Sequence, residues 1–486
     1  MRRVPLFLAI AASLWPVWAF PHLPTQDGAS HVLNAQVFRD CVRESSPEHE
    51  FYARRLWPVP NWTAHAVLLA STAIASPDTS EKVLASFYVI GLPLALLFFM
   101  TSLGLGGETA LVGLLFVFNR CFFLGFSNSL LSLVLYFVVL GVFVRQSEAK
   151  HPSDVVRLAL LLLLTWFTHL FGYLLAAVSL LWLAATGPGA TRQRVRAAVL
   201  AVVPSMLLTV TYLVTSGFFD PAVARRAVRG ASGFPLGAAA ELHRELFAVH
   251  ADAWPLGLLG LAVAALWVGL SRSKGPGIWP DLRGWRRSLA GLTVLLLLAF
   301  FFVPDHLGAQ GGFLKARLAA VPFLLGLSLL PEAPRGPSRS LGLAVVLLLL
   351  GLNLQLVQSH VAAANRDLEE FTAAAGLVRP GETLFAIKPR PENGSLVDVR
   401  AAERYCLAAR AVCLGNYEAA TRHFPVRLRP GVKERLKENR PGSFWADVLL
   451  AWDAAEDQLP LPAEPYREVY RRGALLLYRR DSPPAR

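Results

Sequence analysis

Residues 83–103 have the sequence VLASFYVIGLPLALLFFMTSL, a run of 21 residues without Asp, Glu, Lys or Arg. An α-helix needs about 20 consecutive apolar residues to cross the hydrocarbon core of a bilayer, so this run is a candidate transmembrane helix. Further candidates occur along the chain at 4–20, 109–123, 127–144, 197–216, 253–270, 287–303, 313–331 and 341–357. The repetition predicts an all-α, multi-pass integral membrane protein.

The composition supports the same class. Of 486 residues, 54% are hydrophobic and only 17% are charged, whereas soluble domains carry about a quarter charged residues. Ordinary soluble, disordered and collagen-like classes are therefore excluded, and four cysteines are too few for a disulfide scaffold. The net charge of +13 is explained by cationic cytoplasmic loops rather than by a nucleic-acid partner. The excess of 40 Arg over 7 Lys indicates a high-GC codon bias and hence a bacterial source.

Two segments do not fit a single straight span. Residues 158–185 are too long for one pass and are interrupted at His169, so they predict a hairpin of two short helices. Residues 61–76 are only moderately apolar and contain His65, which favours a helix at the membrane interface.

The basic residues set the predicted orientation, because cytoplasmic loops are enriched in Lys and Arg. About eleven passes place Met1-Arg2-Arg3 and all of the basic loops inside; these loops are 145–157, 192–196, 272–287 and 335–339. The N-terminus is then cytoplasmic, and residues after 358 lie outside the inner membrane, in the periplasm. The first apolar run also fits a cleaved signal peptide, which would leave the downstream topology unchanged.

Two domains follow from this topology. Residues 1–360 form the transmembrane domain, with a first outer loop at 21–82, and residues 361–486 form a small extracytoplasmic α/β domain. Strand-like runs in the second domain occur at Thr383–Lys388, Asp447–Trp452, Glu468–Tyr470 and Ala474–Tyr478.

The C-terminal domain has few candidate functional residues. Cys406 and Cys413 suit a local disulfide in an oxidising periplasm, but on one helix their side chains would diverge. The triplet Asn416-Tyr417-Glu418 and the residue His423 could have a functional role, but they are explained equally well as turn and core residues.

The first outer loop contains the strongest candidate site, the segment Gln26-Asp27-Gly28-Ala29-Ser30-His31-Val32-Leu33-Asn34-Ala35. In a helix that starts here, Asp27, His31 and Asn34 share one face. Asp27 would then accept a proton from an acceptor hydroxyl, or bind a divalent metal such as Mg²⁺ or Mn²⁺. An N-cap role for Asp27 fits the same pattern, and the two roles are compatible.

Basic residues suggest where a phosphate would bind. Arg54 and Arg55 precede the interfacial helix, and guanidinium groups match phosphate oxygens; an anchor to the interface is the alternative. Lys315 and Arg317 follow a glycine-rich loop and suit a lipid-linked phosphate, or equally snorkelling to lipid headgroups. The remaining candidates for a cavity lining are Asn34, His65, Asn128, His169, His306 and Gln310. For Asn128 and His169, helix capping and ordinary packing are the simpler alternatives.

The order of these features resembles the GT-C superfamily of membrane glycosyltransferases, such as the protein O-mannosyltransferases and the lipid A aminoarabinose transferases. The segment from Asp27 to Ala35 is also similar to a D-G-x-x-H-x-x-N-A motif of uncharacterised bacterial multi-pass proteins. The resemblance covers residues 1–360. It implies transfer of a sugar from a polyprenyl-phosphate donor to a lipid, glycan or protein acceptor of the envelope, with membrane lipids as the surroundings.

The resemblance also implies roles for individual residues. Asp27, helped by His31, takes the role of the first-loop base or metal ligand, and Arg317 or Lys315 takes that of the residue that binds the donor phosphate. The chain departs from the family pattern at Gly28 and Asn128, where relatives have an acid, and at His169, where relatives have Lys. These departures weaken the case for a metal and for catalysis.

Two non-catalytic functions remain as alternatives. A flippase or assembly partner for polyprenyl-linked glycans would use the same basic residues without needing Asp27, although the chain lacks the internal repeats common in transporters. A membrane sensor would bind its ligand in the C-terminal domain. The sequence contains no Walker A, GxGxxG, HExxH or CxxC motif.

Overall fold

The computed structural model describes residues 4–146, 151–189, 192–216, 238–250, 284–305, 312–330, 337–387, 399–437, 443–454, 459 and 465–481. The helices in chain order are α1 (Val4–Ser13), α2 (Trp15–Trp18), α3 (Gly28–Asp40), α4 (Glu48–Phe51), α5 (Thr63–Ser71), α6 (Pro77–Ser102), α7 (Thr109–Gly113), α8 (Arg120–Phe123), α9 (Ser127–Arg145), α10 (Pro152–Thr168), α11 (Leu170–Thr186), α12 (Arg192–Thr215), α13 (Ala238–Leu246), α14 (Trp285–Phe302), α15 (Leu314–Gly326), α16 (Pro337–Thr372), α17 (Glu403–Ala409), α18 (Tyr417–Ala420) and α19 (Val432–Leu436). The strands are β1 (Tyr52–Arg54), β2 (Thr383–Ile387), β3 (Val412–Cys413), β4 (Val426–Leu428), β5 (Val448–Trp452), β6 (Tyr466–Arg472) and β7 (Leu475–Arg480).

The chain divides into two units. The first unit contains Met1–Val17 and Ala85–Gln358, and the second contains Trp18–Leu84 and Ser359–Arg486. The segment predicted as the first outer loop therefore belongs to the same unit as the C-terminal region.

Five helices of the described residues are long and apolar enough to cross a membrane, namely α6, α9, α12, α14 and α16. They coincide with five of the predicted spans, and the protein is a multi-pass membrane protein. The helices α1 and α2 together, and α11 alone, are apolar but shorter. The predicted span 253–270 lies outside the described residues, and the number of eleven passes stays a prediction.

Two predicted spans are not single long helices. Residues 109–123 form α7, a turn of 3₁₀ helix at 114–116, and α8. The break has a local cause: the Asn119 carboxamide accepts a hydrogen bond from the Phe122 backbone N–H at 3.3 Å and donates one to the Phe116 carbonyl oxygen at 2.9 Å. Such side-chain bonds to the backbone compete with helix continuation. Within the predicted span 313–331, the described residues form α15 and a turn of 3₁₀ helix at 327–329; the 13 residues of α15 are too few for a straight span.

The prediction of two helices within 158–185 is confirmed. His169 alone separates α10 from α11, with extended backbone angles of φ −166° and ψ 128°. Its N–H still bonds to the Thr165 carbonyl oxygen at 2.8 Å, and its own carbonyl oxygen accepts from the Tyr173 N–H at 3.0 Å. One residue therefore suffices to break the helix.

The C-terminal region forms a five-stranded sheet with the order β3-β2-β5-β7-β6. Strand β2 is parallel to β3 and β5, whereas β7 is antiparallel to β5 and β6. All four predicted strand runs are present, as β2, β5, β6 and β7. A second sheet pairs β1 with β4 in antiparallel register, which joins residues 52–54 to the C-terminal region.

The core of the second unit combines side chains from both of its chain segments. Leu33, Val37 and Tyr52 are buried in the same hydrophobic cluster as Tyr405 and Leu449. The Tyr52 hydroxyl donates to the carbonyl oxygen of Cys413 at 2.5 Å. Residues 18–84 thus owe their buried apolar contacts to residues near the C-terminus.

The expectation that Cys406 and Cys413 share a helix is wrong. Helix α17 ends at Ala409, Arg410 turns the chain with φ 54°, and Cys413 lies in β3. The two thiols are buried and unlinked. A hydrogen bond with Cys406 and burial raise the pKa of Cys413 well above its usual range, so the thiolate needed for disulfide chemistry is disfavoured.

Candidate functional site

Helix α3 begins one residue after Asp27, as the sequence predicts. The backbone of Asp27 occupies the N-cap position, but its side chain makes no capping hydrogen bond. The carboxylate is buried, forms an ion pair with Arg400, and accepts a hydrogen bond from the Tyr417 hydroxyl at 2.7 Å. The side-chain cap interpretation is therefore wrong, and the carboxylate is held by the C-terminal region.

Two histidines of residues 18–84 contact one carboxylate of the C-terminal region. His31 Nδ1 lies 2.6 Å from Glu418 Oε1, and His65 Nε2 lies 3.0 Å from Glu418 Oε2. His31 is 4% exposed, and both His65 and Glu418 are 0% exposed. His65 is therefore a buried partner of Glu418 and not a residue at a water-filled surface.

Asn34 lies on the same face of α3 as Asp27 and His31, and it also contacts the C-terminal region. Its Nδ2 donates to Asn416 Oδ1 at 3.2 Å, and Asn416 Nδ2 donates back to Asn34 Oδ1 at 3.0 Å. Asn416 also caps α18, because its Oδ1 accepts from the Ala419 N–H at 3.2 Å. The two carboxamides therefore satisfy each other away from water, as buried polar groups require.

The predicted helix face is thus matched by three consecutive residues. Asp27 contacts Tyr417, His31 contacts Glu418, and Asn34 contacts Asn416. The prediction that Asp27, His31 and Asn34 share one face holds. We name the set Asp27, His31, Asn34, His65, Arg400, Asn416, Tyr417 and Glu418 the polar cluster.

Burial and charge act in opposite directions on Asp27. Burial raises the pKa of Asp27, and this effect exceeds the lowering by Arg400, His31 and the Tyr417 hydrogen bond. A carboxylate with a raised pKa is a stronger base than an exposed one, and such groups are common at functional sites.

The pKa of Glu418 is shifted in the other direction, below its usual value. Burial raises its pKa, but the charges and hydrogen bonds of His31 and His65 outweigh that effect and lower the pKa to about 2. The Tyr417 hydroxyl stays protonated, because burial and the neighbouring Asp27 raise its pKa well above the usual range. Tyr417 therefore donates, and Asp27 accepts.

A second group of charges fixes the chain just before α3. Arg404 Nη2 donates to Glu81 Oε2 at 3.0 Å and to the Leu23 carbonyl oxygen at 2.9 Å. Arg404 also pairs with Asp78, whose Oδ1 lies 2.8 Å from His22 Nδ1. These contacts join residues 22–25 to α17. They therefore fix the chain just before Asp27 and the start of α3.

The predicted phosphate-binding residues of the second unit contact backbone carbonyl groups. Arg54 Nε donates to the Phe38 carbonyl oxygen at 2.6 Å, and its guanidinium lies 4.6 Å from the Phe38 ring centre. Arg55 Nη1 donates to the carbonyl oxygens of Thr421 and Phe424, both at 3.1 Å. Both guanidinium groups therefore stabilise the unit itself.

Lys315 and Arg317 belong to the first unit and also have partners there. Lys315 Nζ donates to Glu241 Oε2 at 2.7 Å, and its backbone N–H donates to Asp305 Oδ1 at 3.0 Å. Arg317 donates to the Gly312 carbonyl oxygen and lies 4.7 Å from the Phe126 ring centre.

The remaining predicted cavity residues also belong to the first unit. Asn128 is buried in the first turn of α9, and His169 separates α10 from α11. His306 and Gln310 lie outside the described residues.

The partners of Asp27 and the histidines were not identified from the sequence. Arg400, Tyr417 and Glu418 are separated from α3 by more than 350 residues, and no periodic pattern connects them. One signal was available: Asn416-Tyr417-Glu418 is a polar triplet next to apolar segments, and such residues need buried partners if the segment is buried.

Comparison with known proteins gives a match in fold. The chain is similar to the cryo-EM structure of the arabinofuranosyltransferase AftD from mycobacteria, with a TM-score of 0.50 and 13% sequence identity. This likeness is one of fold. The likeness covers 99% of this chain and 40% of the AftD chain, so the protein spans well under half of that neighbour. No protein-family model and no curated protein sequence matches the chain.

Proposed function

We propose that the protein is a membrane glycosyltransferase. It would move a sugar from a polyprenyl-phosphate donor to an acceptor of the bacterial envelope, at the outer face of the inner membrane. The observation that carries this proposal is the GT-C-like fold, which extends over 99% of the chain. The position of Asp27, between the first apolar helices and α6, supports it.

Asp27 is the proposed general base. It would take the proton of an acceptor hydroxyl as that oxygen attacks the anomeric carbon of the donor sugar. The bond from this carbon to the phosphate oxygen breaks, the electron pair leaves with the polyprenyl phosphate, and the configuration inverts. The raised pKa of Asp27 makes the proton transfer more favourable than it would be for an exposed carboxylate.

Arg400 connects the base to the donor phosphate in this proposal. Its guanidinium pairs with Asp27 and lies 4.4 Å from the Tyr417 ring centre. A donor phosphate would compete with Asp27 for this guanidinium, because Arg binds phosphate in a bidentate manner. Transfer of Arg400 to the phosphate would free Asp27 for the acceptor and stabilise the leaving group.

Lys315, Arg317, Arg54 and Arg55 remain proposed contributors to phosphate binding. For Lys315, the phosphate would replace Glu241, its present partner at 2.7 Å. For Arg54 and Arg55 the contribution would be indirect, because their donors already bind carbonyl oxygens of the same unit.

The test uses purified full-length protein in nanodiscs with polyprenyl-phosphate pentose and hexose donors and an envelope glycolipid fraction. The measurement is release of polyprenyl phosphate together with labelled acceptor. We expect Asp27→Asn to lower the rate by at least about 100-fold, in line with the usual size of general-base contributions. Asp40→Asn is the matched control at the other end of α3, where Asp40 pairs with Arg39 and Arg43. An Asp27→Asn protein with wild-type rates would exclude the role of base.

One observation favours a non-catalytic alternative. Asp27 is 4% exposed and has partners on both carboxylate oxygens, as expected for a structural ion pair. In that case the protein would bind polyprenyl-linked glycans as a flippase or assembly partner. Donor binding without turnover, equal in wild-type and Asp27→Asn protein, would support this alternative.

A further inference from the structure

Three donor groups of the polar cluster are close enough to share one cation. One ring nitrogen of His31, one ring nitrogen of His65 and one carboxylate oxygen of Glu418 all lie within 4.8 Å of one another, and all three residues are buried. Among the described residues, these three form the one group of His, Cys, Asp or Glu side chains whose donor atoms are this close together. Asp27, which the sequence offered as the metal ligand, is not a member.

The hydrogen bond of His65 to the backbone determines which of its nitrogens carries a proton. His65 Nδ1 lies 3.0 Å from the carbonyl oxygen of Asn61, and a carbonyl oxygen only accepts. Nδ1 therefore carries the proton, and in a neutral imidazole Nε2 has a lone pair. That lone pair faces Glu418 Oε2 at 3.0 Å, so two acceptors face each other and a cation is needed between them.

The backbone around His65 supports this arrangement. Asn61 has a φ of 68°, a left-handed conformation that is uncommon outside glycine. Its carbonyl oxygen is the kind of backbone acceptor that usually orients a metal-binding histidine. The ring of Phe424 lies 5.9 Å from His31 and 5.7 Å from His65, centre to centre, and forms an apolar wall beside the three donors.

We propose that His31, His65 and Glu418 bind a zinc ion. Two imidazoles with one carboxylate form a donor set that suits Zn²⁺, whereas Mg²⁺ and Mn²⁺ prefer oxygen ligands. Donor atoms of a tetrahedral zinc site lie roughly 3.4 Å apart, which follows from metal–ligand distances of about 2.1 Å. The nitrogen–oxygen distances of 2.6 and 3.0 Å, which involve the two different oxygens of Glu418, are shorter than this. The three side chains would therefore move apart to admit the ion, with water as the fourth ligand.

The zinc ion would join three separate pieces of chain: α3 through His31, α5 through His65 and α18 through Glu418. It would replace the proton that otherwise has to lie between His65 and Glu418. The proposal does not depend on sugar transfer, because it concerns only how the second unit is held together.

The test measures the metal content of the purified full-length protein by mass spectrometry after dialysis against zinc. We expect about one zinc per chain in the wild type and in His49→Gln. His49 is the matched control, because it lies in the same unit and its ring nitrogens contact the Cys41 carbonyl oxygen, at 3.0 Å, and the Arg429 guanidinium, which are both outside the polar cluster. His65→Gln and Glu418→Gln should retain less than about a tenth of the zinc.

A second measurement uses the wild type alone and so does not depend on the folding of the variants. Cobalt added to the chelator-treated protein should give the intense visible bands of four-coordinate Co²⁺, and zinc should abolish them. Zinc should also raise the melting temperature of the chelator-treated protein, because a ligand that binds the folded state stabilises it. Wild-type protein that binds no zinc and shows no such bands would overturn the proposal and leave a buried imidazolium between the two residues.

Discussion

At the scale of single residues, Asp27 is governed by the balance between burial and Arg400. Burial raises the pKa of its carboxyl group, and Arg400 is the strongest of the influences that lower it. Removal of the guanidinium leaves only His31 and the Tyr417 hydrogen bond to oppose burial, so Asp27 would hold its proton to a higher pH. In the proposed reaction, the Arg400 side chain would therefore help to set the pH range in which Asp27 acts as the base.

We predict that Arg400→Gln moves the acid limb of the transfer rate to higher pH. Only the deprotonated carboxylate accepts a proton, so a raised pKa of Asp27 removes activity at low pH first. The measurement is the rate of polyprenyl phosphate release across pH 4 to 9. Arg39→Gln is the control, because Arg39 pairs with Asp40 instead. An unchanged profile in Arg400→Gln would contradict the assignment of Asp27.

The lowered pKa of Glu418 predicts that the folded protein loses stability at acid pH. Its pKa falls from 4.5 to about 2 in the folded protein, because His31 and His65 outweigh the effect of burial. A carboxylate with a lowered pKa contributes stability that is complete above its unfolded value and is lost as the pH falls. The loss should therefore occur between pH 4.5 and about 2.

We predict that Glu418→Gln lowers the free energy of unfolding by about 3–5 kcal/mol at pH 7, the usual cost of removing one partner of a buried ion pair. The variant should also lose the pH dependence of stability below 4.5 that we expect of the wild type. Thermal melts followed by tryptophan fluorescence measure both effects. Glu434→Gln, a change to an exposed acid of α19, should behave as wild type.

At the scale of elements, the start of α3 depends on a close approach at Gly28. A Cβ atom built there would lie 1.9 Å from Glu81 Oε1 and 2.2 Å from Thr25 Oγ1. Glu81 cannot move freely, because it accepts from Thr25 at 2.6 Å and pairs with Arg404 at 3.0 Å. Gly28 therefore has a steric role at the start of α3.

We predict that Gly28→Ala destabilises the second unit by about 1–3 kcal/mol, the usual cost of overpacking. The variant should also lower transfer, because α3 positions Asp27. Gly376→Ala is the control, since a Cβ there meets nothing within 4 Å. Thermal melts of the two variants give the comparison, and equal melting temperatures would contradict the steric argument.

Sequence patterns predicted the helices and strands better than the contacts between side chains that are far apart in the chain. The apolar runs gave five spans, the alternation gave four strands, and the spacing of Asp27, His31 and Asn34 gave one helix face, because each of these signals is local. Arg400 and Glu418 escaped prediction, since a contact between residues nearly 400 positions apart has no periodicity in a single sequence. The break at 109–123 escaped for another reason: the side-chain bonds of Asn119 override an apolar run.

At the scale of the whole molecule, residues 18–84 share one unit with residues 359–486. We predict that a chain ending at Leu377 loses the fold of residues 18–84, because Asp27, His31 and Asn34 lose their partners. Trypsin should then cleave after Arg39, Arg54 and Arg55 at least about ten times faster than in the full chain. Equal cleavage rates would show that residues 18–84 fold without the C-terminal region.

The pairing of Asn34 with Asn416 joins residues 382 positions apart, and this separation has a consequence for synthesis. Ribosomes add about 5–20 residues per second, so roughly 20–80 seconds pass between the two asparagines. During that interval the membrane-spanning helices between the two asparagines must enter the membrane while the polar face of α3 lacks its C-terminal partners. The nascent chain therefore passes through a long period in which a chaperone or a protease has access to residues 18–84, and the polar cluster can assemble only after residues 400–418 have been made.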